Sequence, residues 1–159
     1  MKKQRDSQRS KLYGWELAEL GSAWLVTDKE NTPLGEAGAQ RLVNEVWAQE
    51  WAHLGSVPKI RVMNNRGRGT ATGHLIKLSG SYRVTQTTWY VLHELTHSIQ
   101  RRRRDLGPDS WDLAAHGPEF CQEYARLLDV YTAARYGDVI QSMREARLKV
   151  SPTHPAAFR

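Results

Sequence analysis

Apolar residues recur at three- and four-residue steps along most of this chain and at two-residue steps in its middle. Trp89, Leu92, Leu95 and Ile99 follow the first rule, which predicts a helix over about 87–104 with these four on its core face. Thr87 or Thr88 is its N-cap candidate. Residues 6–20 read as a helix with Leu12, Trp15, Leu17 and Leu20 as candidate buried positions. Thr32-Pro33-Leu34-Gly35-Glu36 combines a cap, a proline and an early acid. It predicts a helix to about His53, stopped at Gly55, with Leu42, Val46 and Trp47 or Ala48 facing inward. Further helices are expected at about 118–135 and 137–149.

Lys59-Ile60-Arg61-Val62-Met63 alternates polar and apolar residues and reads as a strand. A turn over 64–69 follows, then one or two strands within Thr70 to Ser79. A short extended piece is expected at Ala23-Trp24-Leu25-Val26. Helices, a small antiparallel sheet and then helices define an α+β domain.

The length of 159 residues suits one domain over 1–159, with a core at about 5–150 and a loose tail at 151–159. Cys121 is the only cysteine, so no intrachain disulfide can form. It reads as a small buried residue, not as a nucleophile. The charged segment from Met1 to Lys11 lacks the apolar core of a signal peptide. No apolar run approaches membrane-spanning length, so a cytoplasmic location and no membrane partner are expected.

The residues that carry chemistry are His93-Glu94-Leu95-Thr96-His97. On a helix, positions four apart share a face, so both imidazoles can bind one Zn²⁺ while Glu94 serves as general base. The competing structural reading is a pair of histidines at the edge of an amphipathic helix. A zinc hydrolase needs a third protein ligand. His53, His74 and His154 sit at a helix end, in a strand-like run and in a proline-flanked tail. His116 opens His116-Gly117-Pro118-Glu119-Phe120, where Pro118 fits a first helical position and Glu119 a first turn. It is the strongest candidate, and a loop or capping histidine is its alternative.

These segments together resemble the SprT-like metalloproteases, whose eukaryotic member is Spartan. His93–His97 is similar to their zinc-binding helix, and His116-Gly117-Pro118-Glu119-Phe120-Cys121 to the segment bearing their third ligand. Gly73 to Ser79 resembles the strand before the zinc helix. A closer resemblance is to small actinobacterial metallohydrolases, also found in mycobacteriophages, whose chains begin much like Arg5 to Tyr13. The resemblance covers most of residues 5–135. It implies a zincin-like fold, one Zn²⁺ held by His93, His97 and His116, Glu94 as catalytic base, and a protein substrate docked along Gly73 to Ser79. Nothing in these 159 residues resembles Spartan's accessory DNA- or ubiquitin-binding regions or a four-cysteine zinc ribbon.

The formal charge of +6 is compatible with a polyanion such as DNA. The excess clusters at Arg101 to Arg104, at Arg66 and Arg68, and between Lys2 and Lys11. Arg101, Arg104, Arg66 and Arg68 are the nucleic-acid candidates. Arginines in the last turn of a helix also complement its dipole. Tryptophans and tyrosines fall at helical core spacing and form no base-stacking platform.

Three functions follow: a metalloprotease acting on DNA-associated proteins, a metallopeptidase with a dedicated regulatory substrate, or a binding module with structural zinc. Tyr82, Tyr90, Tyr124 and nearby arginines are the candidates for stabilising the oxyanion.

Overall fold

The computed structural model describes residues 6–64, 67–106 and 114–152. Among these lie five α-helices: α1 (Arg9–Trp15), α2 (Gly35–Val46), α3 (Thr88–Leu106), α4 (Pro118–Tyr131) and α5 (Tyr136–Glu145). Three strands, β1 (Lys59–Met63), β2 (Thr70–Ala71) and β3 (Leu75–Ser79), form one sheet. The fold class is α+β. The chain divides into two compact units, Met1–Asp28 with Asp112–Arg159, and Lys29–Trp111.

In the first unit, α1 runs into a π-helical turn over Glu16–Leu20. Its wider bond, from Gly21 N–H to the Glu16 carbonyl at 2.9 Å, carries Leu20 round to the side of Leu12 and Trp15. Those three are buried, whereas Leu17, expected inside, is 46% exposed and Glu16 lies inward. The extended piece expected at Ala23–Val26 is a turn, with Ala23 at φ 58° and Trp24 79% exposed.

Helix α4 starts as expected, with Pro118 in its first turn after Gly117. It stops at Tyr131, short of 135, because Thr132 turns extended and its hydroxyl donates to the Leu128 carbonyl at 2.6 Å. Helix α5 begins after extended Arg135, where Tyr136 N–H donates to Asp129 at 2.9 Å. Trp15 Nε1 donates to Ser142 Oγ on α5 at 2.9 Å, tying the ends of this unit together.

In the second unit, α2 starts at Gly35 after Leu34, so Thr32 and Pro33 lie outside the helix. Leu34 N–H instead donates to the Gln86 carbonyl at 2.9 Å. Ala39, Val43, Val46 and Trp47 are buried, while Leu42 is half-buried and Ala48 exposed. A π turn and a 3₁₀ turn extend the helix to Leu54. The stop at Gly55 uses φ 100°, open to glycine at little cost.

The sheet is mixed, where an antiparallel one was expected. Its order is β1-β3-β2, with β1 parallel and β2 antiparallel to β3. After β1 the chain passes β3's place, lays down β2 on the far side, and returns through a tight hairpin into the middle. Strand β3 is therefore central, paired on both sides at Ile76 and Lys77. The docking edge expected along Gly73 to Ser79 is not an edge there. The outer edge of β1 is covered by α2: Ile60 N–H donates to Gln40 Oε1 at 2.7 Å and Val62 N–H to Glu36 Oε2 at 2.8 Å. The other edge is β2.

Helix α3 buries Trp89, Leu92, Leu95 and Ile99, the four residues its periodicity placed inside. It begins after extended Thr87, whose carbonyl accepts the Val91 N–H at 3.0 Å. Thr87 thus stands at the N-cap position, and its hydroxyl donates back to Val84 O at 2.8 Å. No helix among the described residues is long and apolar enough to cross a membrane.

Candidate metal centre

One turn of α3 brings His93 and His97 together, with their Nε2 atoms 3.2 Å apart. His93 is fully buried and His97 half-buried. The Tyr90 ring stacks on His93, centroids 5.7 Å apart and planes inclined by 21°. Ser98 Oγ donates to the Thr72 carbonyl at 2.6 Å, and Arg102 donates to the Gly73, Leu54 and Ser56 carbonyls at 2.6, 2.9 and 2.7 Å. The helix is thus stitched, across one turn, to the hairpin beside it and to the segment that follows α2.

Glu94 is buried and lies under Gly69. A Cβ on Gly69 would stand 2.8 Å from Tyr90 Cε1 and 2.9 Å from Glu94 Oε1. Only glycine permits this approach, and Gly69 N–H donates to the Tyr90 hydroxyl at 3.2 Å. From the sequence Gly69 looked like a turn glycine and nothing more. Its role depends on a side chain far along the chain.

His116 lies just ahead of α4 and is buried. Its Nδ1 is 2.6 Å from Asp6 Oδ2. The Tyr13 and Phe120 rings form T-shaped contacts with its imidazole, centroids 5.4 and 5.2 Å apart. Asp6 had no assigned role in the sequence, and no local pattern links it to a residue 110 positions away.

His93 and His97 belong to the second unit and His116 to the first. These three histidines could hold a metal ion. The donor set fits one. Two imidazole nitrogens about 2.05 Å from a tetrahedral zinc stand about 3.3 Å apart, close to the separation of the helical pair. With Nδ1 turned to a carboxylate, His116 has Nε2 left to offer, as metal-binding histidines usually do. An all-imidazole set suits zinc and also copper, iron or nickel.

The other candidates separate. His53 and His74 are exposed, and His154 lies outside the described residues, as does Arg66. Arg101, Arg104 and Arg68 are exposed, and Arg104 Nε lies 3.7 Å from Asp105. Arg102 is buried in carbonyls, and Arg103 stacks on Trp51 at 4.4 Å. The run of four arginines is therefore two structural residues and two solvent-facing ones. Tyr82 is at the surface, and Tyr124 is buried against Trp15 and Phe120. Of the three tyrosines, Tyr90 is the one seen against a candidate ligand.

Cys121 is buried, and its thiol is pushed up to about 12 by burial first and then by the charges of Glu16, Asp6 and Glu119. It is neutral at physiological pH and poorly suited to attack or to bind metal.

No protein-family model, no curated protein and no solved structure matches this chain.

Proposed function

We propose that this chain is a zinc-dependent metallopeptidase of SprT-like, zincin-like type, acting on proteins associated with DNA. The observation that carries the reading is the pair His93 and His97 on one face of α3 with Glu94 between them, and His116 is the third histidine that could serve the same ion. A divalent ion held by the three imidazoles would lower the pKa of a water and polarise the scissile carbonyl. Glu94 then takes a proton from the attacking water on a carboxylate oxygen and delivers it to the leaving amine. The burial of Glu94 keeps that carboxylate in a low-dielectric setting, where proton transfer to and from a substrate is not short-circuited by bulk water. A purely structural zinc site fills its fourth position with protein, while the donor group found among the described residues holds three histidines.

The strand edge available to an extended substrate is β2, adjoining Gly69 and hence Glu94. An edge strand offers backbone groups for β-strand addition. Arg101, Arg104 and Arg68 supply the positive surface for DNA. A second reading, a peptidase with one regulatory substrate and no need of DNA, is favoured by the loss of Arg102 and Arg103 to internal contacts.

The test is cleavage of a DNA-binding protein by zinc-loaded wild type and Glu94→Gln, with and without single-stranded DNA. Cleavage that needs Glu94 and rises with DNA supports the first reading. Glu94-dependent cleavage indifferent to DNA supports the second. Cleavage that survives Glu94→Gln removes both.

A further inference from the structure

We infer that the segment Asp6 to Gln8 is a positioning clamp for His116, with Asp6 selecting the imidazole tautomer and Gln8 fixing the backbone that carries it. The inference rests on reading His116 as a metal ligand. A neutral imidazole has one N–H and one lone pair. A lone pair on Nδ1 would face the Asp6 carboxylate at 2.6 Å, which is repulsive, so Nδ1 carries the proton and donates it. Nε2 is thereby left as the ligating atom. The other Asp6 oxygen, Oδ1, is buried and has no hydrogen-bond partner among the described residues, so the bond to His116 is the one that the carboxylate makes there. Tyr13 and Phe120 pack against the ring at steep interplanar angles of 64° and 67° and resist its rotation about χ2.

Gln8 acts on the main chain. Its amide nitrogen donates to the His116 carbonyl at 3.0 Å and to the Lys149 carbonyl at 3.1 Å. The same nitrogen lies 3.9 Å from Cys121 Sγ, and the amide oxygen accepts the Lys149 N–H. One buried side chain thus joins the start of the chain, the ligand-bearing loop and the segment after α5. The loop itself is closed by Gly117 N–H donating to Ala114 O at 2.9 Å. Asp6 is a positioning residue in this scheme, since it acts through His116.

The experiment measures zinc affinity by competition with a chromophoric chelator, for wild type, Asp6→Ala, Asp6→Glu and Gln8→Ala. In parallel, ¹⁵N NMR of the metal-free proteins reads the His116 ring nitrogens. Asp6→Ala is expected to bind zinc roughly 10–100-fold more weakly, with partial recovery in Asp6→Glu. The wild-type His116 signal should show Nδ1 protonated and Nε2 bare, and Asp6→Ala should move the proton toward Nε2. Gln8→Ala should weaken zinc binding without changing the tautomer. Unchanged affinity in Asp6→Ala, or a wild-type His116 protonated on Nε2, overturns the clamp. If Asp6→Ala does not fold, the wild-type tautomer still decides. Failure of wild type to bind zinc would sink the metal reading instead, and the ring-nitrogen signals would judge the Asp6 contact separately.

Discussion

His93 and His97 are neighbours because a helix has 3.6 residues per turn, whereas His116 is aimed by a carboxylate 110 positions away. The first half of the candidate centre assembles whenever α3 forms. The second needs the N-terminal segment, the loop ahead of α4 and the residues after α5 to be in place together. A metal held by all three histidines would couple ligand binding to folding unequally. Damage to the helix should remove the centre, while damage around His116 should loosen it.

The largest effect expected separates chemistry from metal binding within the helical half. Glu94→Gln should lower turnover by about 10²–10⁴-fold, the usual contribution of a positioned general base, while zinc stays bound at one equivalent. His116→Ala should show the reverse order, with zinc lost on dialysis before the helix content changes by circular dichroism. If both variants kept zinc equally well, His116 would not be a ligand and the centre would rest on the helical pair alone.

Next in size is the stitch that holds α3 to its hairpin. Arg102→Ala leaves the Gly73, Leu54 and Ser56 carbonyls without their donor. Hydrogen bonds to a charged donor are worth about 1.5–3 kcal/mol each, so a loss of about 3 kcal/mol or more is expected in urea unfolding. Arg101→Ala, one residue earlier and exposed, should change stability by less than about 0.5 kcal/mol. Its effect should fall on DNA affinity, with a shallower salt dependence. Equal stability losses from the two would contradict their different burial. Gly69→Ala comes after these. Its methyl would press on Tyr90 and Glu94, an overpacking worth about 1–3 kcal/mol, and activity should fall further than stability because Glu94 must move.

What the sequence made legible follows the same local and non-local line. Strand β1 lies where alternation put it, at Lys59–Met63, and the four apolar residues of α3 are all buried. The histidine pair needed only helical spacing, and His116 was marked by its place ahead of Pro118. The order of the strands was not legible, because alternation says which face is buried and not which strand is a neighbour. Leu17 faced the wrong way since a π turn is invisible in a 3.6-residue pattern. Arg102 looked like a surface charge within a basic run. Only the carbonyls of Leu54, Ser56 and Gly73 reveal it as internal. Asp6, Gln8 and Gly69 carried no local signal, as each acts on a residue far along the chain.

The smallest effect probes the half of the molecule around His116 through Cys121, which shares the Gln8 amide with that histidine's carbonyl. Burial and the nearby acids raise the thiol's pKa to about 12, whereas an unfolded cysteine titrates near ~8.5. The folded state therefore holds its proton where the unfolded chain has released it. The sign follows: this contribution to stability is complete below about pH 8.5 and declines as pH rises toward 12, by at most ~1.4 kcal/mol per pH unit. Lysines and tyrosines titrate in the same range, so the comparison must be with Cys121→Ala, which removes the thiol and leaves the rest. Urea unfolding of both proteins at pH 8, 9 and 10 should show the stability of wild type relative to Cys121→Ala falling with pH. Iodoacetamide should leave the folded thiol unmodified at pH 8. Parallel pH curves, or rapid alkylation, would mean that this region opens far more readily than the buried contacts of Gln8 and His116 imply. The contrast with the helical half would then be sharper than the static structure suggests.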